Sequence, residues 1–184
     1  DLGEDLVEVA VFGHLGGALV GADDPEYRDL NEVFPEVDWD LRARGLGATP
    51  ERPLVSAGEE NVLCSAGDRY LGEDILLHEF AHTLHEQGLA IVYSSFQADL
   101  VAAYDQAVAE DIWADTYAAT NPAEYWAEGV QSYFDRNEES NPPNGIHGPI
   151  ATRQALADAD PTLFGLIDRY FAGVELPASC HERP

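Results

Sequence analysis

Lysine and methionine are both missing from this 184-residue chain, and cysteine occurs only twice, at Cys64 and Cys180. All nine basic residues are arginine; against 35 acidic ones they leave a formal net charge of −26. A surface so poor in positive charge offers nothing to nucleic acid or to an anionic membrane. Arg42 and Arg44 make the densest basic spot, far too small for a nucleic-acid footprint. No apolar run approaches the ~18 residues needed to cross a bilayer, so no membrane-spanning segment is expected. A signal-peptide pattern is missing too, and a chain that begins at Asp1 is expected to be a processed product or an excised segment. Internal repeats, low-complexity tracts and interdomain linkers are lacking. The length suits one core, and a single domain over 1–184 is expected.

Carboxylate excess on this scale serves solubility. It also suits a saline medium, where salt screens the repulsion between like charges. Two cysteines are the fewest that can form a disulfide. A Cys64–Cys180 bond would tether the C-terminal tail, enclose more than a hundred residues and contribute about 4–5 kcal/mol in the chain-entropy model. Two unrelated buried thiols are the alternative. The disulfide, and with it a secreted, extracellular or periplasmic setting, is the reading adopted.

The most informative stretch is Gly72 to Gln87, GEDILLHEFAHTLHEQ, which contains His78-Glu79-Phe80-Ala81-His82, the pattern H-E-x-x-H. Residues four apart lie on one helix face, so His78 and His82 can direct imidazole nitrogens at one Zn²⁺. Glu79 lies about 100° further round the helix, beside a metal rather than on it, where it can take a proton from water. Ile75, Leu76, Phe80, Ala81 and Leu84 form an apolar stripe; Glu73 and Asp74 suit a helix start and Gly88 a stop. The bland alternative is a buried helix with two incidental histidines.

Upstream, Leu6–Phe12 alternates as a strand, Pro25–Phe34 reads as a short helix capped by Asp23 or Asp24, and Pro35–Pro53 is irregular, with Gly45 and Gly47 among its breakers. Within Leu54–Cys64 a weak strand is expected around Asn61–Cys64, either a core strand or a substrate-binding edge strand beside the metal helix. Downstream, helices are expected over Phe96–Ala114, over Pro122–Arg136 with Asn121 as N-cap, over Thr152–Ala157, and over Pro161–Phe171 capped by Asp160. Thr116–Asn121 reads as a turn and Asn137–Pro149 as a loop. The fold class expected is α+β, mostly helical with a small sheet.

Two histidines do not complete a catalytic zinc site, which takes a third protein ligand and an open position. Glu124 and Glu128 share a face of the aromatic-rich helix Pro122–Arg136. One can bind metal while the other orients a ligand histidine; the alternative is a solvated acidic face.

The segment Tyr117-Ala118-Ala119-Thr120-Asn121-Pro122-Ala123-Glu124-Tyr125-Trp126-Ala127-Glu128, together with HEFAH, resembles the gluzincin zinc metallopeptidases. It is similar to the catalytic domain of anthrax lethal factor and to Mlc titration factor A. A wider similarity, over Asn61 to Phe171, is to uncharacterised secreted fungal and bacterial proteins. The resemblance implies a zincin-like domain with His78, His82 and Glu124 as zinc ligands, Glu79 as general base, Glu128 behind a ligand histidine, and Tyr117 as the hydroxyl that stabilises an oxyanion. The chain departs from lethal factor outside Gly72–Phe134, so no substrate preference carries over.

Five other residues are weaker candidates. His147, on a loop, is a candidate substrate contact. His85 is expected at a helix end, Arg153 in a pair with Asp158 or Asp160, and His14 and His181 lack supporting context. The activity expected is hydrolysis of a peptide bond in a peptide or protein substrate. The rivals are a non-catalytic zinc-binding interaction or toxin-like module, a zinc amidohydrolase on a non-protein substrate, and a metal-free helical domain.

Overall fold

The computed structural model describes residues 8–12, 35–36, 44–50, 52–178 and 180–181. The expected helix over Pro25–Phe34 and the residue His14 lie outside the described residues. The fold is α+β, a small mixed sheet beside a larger helical body.

Among the described residues, three strands form a sheet in the order β1-β3-β2. β1 (Glu8–Phe12) runs parallel to β3 (Leu54–Gly58), with Glu8 opposite Leu54. β2 (Gly45–Leu46) runs antiparallel to β3, with Gly45 opposite Ala57. Every residue of β3 is buried, as a central strand covered on both faces should be. Two expectations change here. The strand is Leu54–Gly58, whereas Asn61 and Val62 belong to a one-turn helix, α1 (Glu59–Val62). The stretch read as irregular contains β2, whose two residues are too few to show any alternation.

α2 (Ile75–Thr83) carries the H-E-x-x-H segment. Its N-cap is Asp74, whose carboxylate accepts the Leu77 N–H at 3.0 Å. Gly88 does not end it. The backbone passes into a π-helical turn over Leu84–Leu89 and on into α3 (Ala90–Val92). His85 is therefore not a helix-end residue. It is buried in that turn, 2.7 Å from the Gln97 amide oxygen.

α4 (Phe96–Ala109) stops short of the expected Ala114, and a 3₁₀ turn, Tyr117–Ala119, follows. In α5 (Pro122–Tyr133) the Asn121 side chain accepts from the Ala123 and Glu124 N–H groups, and Pro122 opens the helix. α6 (Arg153–Ala159) and α7 (Pro161–Phe171) close the body; Asp160 caps α7.

The core lies among α4, α5 and α7, where Phe96, Leu100, Tyr125, Trp126, Tyr133, Leu163 and Ile167 are fully buried. Gly129 of α5 admits α7, since a Cβ there would lie 2.5 Å from Leu163 Cδ2. The Trp126 indole donates to the Ala81 carbonyl at 3.0 Å, tying α5 to α2. Arg153 pairs with neither Asp158 nor Asp160. It lies over the Tyr133 ring at 3.7 Å and bonds Asp168 at 3.2 Å, because α7 brings that carboxylate across.

Cys64 and Cys180 form a disulfide, with Cα atoms 6.2 Å apart. Beside it His181 is buried, its Nε2 2.8 Å from the Asn61 carbonyl. Asn61 in turn holds the start of α2: its amide donates to the Tyr70 and Glu73 carbonyls and its oxygen accepts the Ile75 N–H. Among the described residues, no helix is long and apolar enough to cross a membrane.

Candidate metal centre

One turn of α2 separates His78 from His82, and the first turn of α5 presents Glu124 opposite them. The His78 and His82 Nε2 atoms are 3.1 Å apart, and Glu124 Oε2 lies 3.1 Å from the first and 3.2 Å from the second. These three donors form a nearly equilateral triangle. Tetrahedral zinc with ligands at about 2.0–2.1 Å separates its donors by roughly 3.3 Å, so the set fits such an ion. Two imidazoles and a carboxylate are also the donor types that zinc prefers.

The charges respond to this crowding. Burial alone would lower the His78 imidazole, but its hydrogen bond to Glu124 and the nearby Glu79 and Glu128 charges raise it. Burial alone would raise Glu124, yet the bonds from His78 and His82 hold it well below the usual carboxylate range. A cation at the centre of the triangle would take over the role these protons play.

Glu79 stands on the wall of the same cleft, a cavity of about 580 Å³. Burial raises its carboxyl above the ordinary value, while the two histidines and a hydrogen bond from the Gly47 backbone N–H oppose that rise. The backbone comes so near only because residues 45 and 47 lack side chains. A Cβ on Gly45 would lie 2.6 Å from Glu79 Cγ, and one on Gly47 would lie 3.0 Å from His82 Cβ. Thr83 fixes the approach, accepting the Ala48 N–H at 2.9 Å and donating to the Glu79 carbonyl at 3.0 Å. An edge strand therefore does border the H-E-x-x-H helix, but it is β2 with its extension to Thr49, not Leu54–Cys64. Gly45 and Gly47 read as breakers in the sequence. A glycine at alternate positions just ahead of a buried strand was the available signal.

Tyr117 is on the cleft rim, partly exposed, with its hydroxyl 3.3 Å from Glu124 Oε1 and its ring stacked 6.5 Å from that of His78. Glu128 is buried but stops 3.6 Å short of His78 Nδ1, beyond a hydrogen bond. Asn137 holds it, donating to Oε2 at 2.8 Å. The partner of His78 Nδ1 is the Gln131 amide oxygen, at 2.8 Å. Gln131 escaped the sequence reading because it lies seven residues beyond Glu124, on the same face two turns on.

His147 does not line the cleft. It is buried behind Glu73, with Nε2 3.6 Å from Glu73 Oε1. Glu73 itself does line the cleft, and burial together with the Glu128 charge pushes its carboxyl up to about 8. Set against known protein families, characterised proteins and solved structures, the chain matches none of the three.

Proposed function

We propose that this protein is a zinc-dependent peptidase with a zincin-like domain, of the gluzincin type. The observation that carries the reading is the convergence of His78, His82 and Glu124 donors within 3.2 Å of one another on the floor of a cleft that also contains Glu79. The resemblance of HEFAH and of Tyr117–Glu128 to gluzincin segments supports it, as does an edge strand along the cleft.

His78, His82 and Glu124 would hold the ion. Zinc there supplies an acidified water and a polarised scissile carbonyl. Glu79 is the general base. It accepts the proton of the attacking water on its carboxylate and delivers it to the leaving amine. Its raised affinity for a proton, a result of burial, suits a group that must carry one between steps. The Tyr117 hydroxyl, at the rim, donates toward the negative charge that develops on the carbonyl oxygen. β2 borders the cleft, and its outward edge at Gly45 would receive an extended peptide by strand addition. The Cys64–Cys180 disulfide supports a secreted setting.

The test is digestion of a diverse peptide pool by wild-type protein and by Glu79→Gln at matched zinc content, read by mass spectrometry. The expected result is a set of cuts reduced at least ~10²-fold in the variant. Equal cutting by both, or none by the wild type, would overturn the peptidase reading. Zinc retained without cutting would point to a binding module instead.

A further inference from the structure

The side chain of Gln131 is fully buried between the start of α2 and His78, and its amide can be oriented without ambiguity. Nε2 lies 3.1 Å from the Asp74 carbonyl oxygen and 3.4 Å from Glu73 Oε2. A backbone carbonyl only accepts, so the amide NH₂ must face Asp74. That turns Oε1 toward His78 Nδ1, at 2.8 Å. An amide oxygen also only accepts, so Nδ1 must carry a proton and donate it. In neutral imidazole the other nitrogen, Nε2, is then bare. Nε2 is the atom that faces His82 and Glu124.

We infer that Gln131 is the positioning residue of the metal centre: its amide, fixed by the Asp74 carbonyl, selects the His78 tautomer that presents Nε2 as a ligand. This inference rests on the zinc reading above. The device is self-contained, because Asp74 is the N-cap of α2 and its carbonyl also accepts the His78 backbone N–H at 3.1 Å. One turn of helix thus fixes both the amide and the imidazole that the amide orients. Glu128, the residue the sequence resemblance assigns to this role, is held aside by Asn137. A neutral amide in place of a carboxylate donates less electron density through the imidazole, which keeps the ligand less basic.

Two measurements test this. In metal-free wild-type protein, NMR should detect the His78 Nδ1–H proton, slowed in exchange and with an NOE to the Gln131 side chain. An Nδ1–H with contacts to Glu128 instead would overturn the assignment. Zinc affinity is then measured by chelator competition for wild type, Gln131→Met, Gln131→Glu, Glu128→Gln and Ser132→Ala. Gln131→Met should weaken zinc binding by about 10–100-fold, and Gln131→Glu, which keeps an acceptor for Nδ1 but gives up the donor to the Asp74 carbonyl, should recover only part of it. Gln131→Met within about twofold of Ser132→Ala, or a larger loss from Glu128→Gln than from Gln131→Met, would overturn the proposal. A wild type that binds no zinc yet keeps the His78–Gln131 contact would overturn the metal reading while leaving the hydrogen bond standing.

Discussion

α2 and α5 each carry a pair of acid–base side chains four residues apart, yet the two pairs end differently. His78 and His82 of α2 converge, their Nε2 atoms 3.1 Å from one another. Glu124 and Glu128 of α5 diverge. The first joins the histidines across the cleft, and the second turns inward to Asn137. Spacing places two side chains on one face. Where each carboxylate or imidazole points is decided by the partners that other elements bring to it. On α2, both histidines meet the same carboxylate. On α5, the chain leaves the helix at Phe134 and returns Asn137 beneath Glu128, so the second carboxylate is satisfied locally.

The largest effects should come from breaking this asymmetry. Glu124→Ala should weaken zinc binding by more than about 100-fold, beyond the range for groups behind the ligands, whereas Glu128→Gln should cost less than about tenfold. Zinc content after dialysis against a weak chelator separates the two. Comparable losses would mean that the pair on α5 acts as a unit, like the pair on α2.

A smaller effect sharpens the other side of the cleft. Gly45→Ala puts a Cβ within 2.8 Å of Glu79 and Ile75. Displacing the base while sparing the ligands should lower hydrolysis by roughly 10–100-fold with zinc retained. Gly67→Ala, with no atom within 4 Å of its Cβ, is the matched control and should leave activity unchanged.

Glu73 sets a pH dependence in the metal-free protein. Its carboxyl ionises near 4.5 in the unfolded chain but only at about 8 in the fold, where burial disfavours the charge. Between those values the native state binds the extra proton, so its stability falls as pH rises, by up to about 1.4 kcal/mol per pH unit from this group. The burden is absent below the unfolded value and fully present above the folded one. Glu73→Gln should remove this slope, as denaturant titrations between pH 5 and 8 would reveal. An unchanged slope would assign the dependence elsewhere.

The mildest test concerns the whole surface. With a net charge of −26, screening should stabilise the protein, and its melting temperature should rise between low and molar NaCl. A melting temperature that does not move would show that the acid excess serves solubility alone.

Much of the site could be read from the chain. The pairing of His78 with His82, the Asn121-Pro122 start of α5 and the position of Glu124 are local consequences of helix periodicity and capping, and the folded protein keeps them. With only two cysteines, Cys64–Cys180 is the one intrachain pairing available, and the folded protein forms it. The stop expected at Gly88 failed because backbone bonding can widen to a π turn without breaking. Residue type alone does not register that option.

Tertiary structure decided the rest. β2 is two residues long and exists only through its pairing with β3, so no window of sequence could announce it. Gly45 and Gly47 acquire their meaning from the side chains of Glu79 and His82, more than thirty residues away. The displacement of Glu128 by Gln131 at His78 depends on Asn137 and on the Asp74 carbonyl. Sequence periodicity fixes which face of a helix a residue occupies, because that angle is a property of the local backbone. The partner a buried polar group finds is a property of the whole fold, since it depends on chain segments that only packing brings together.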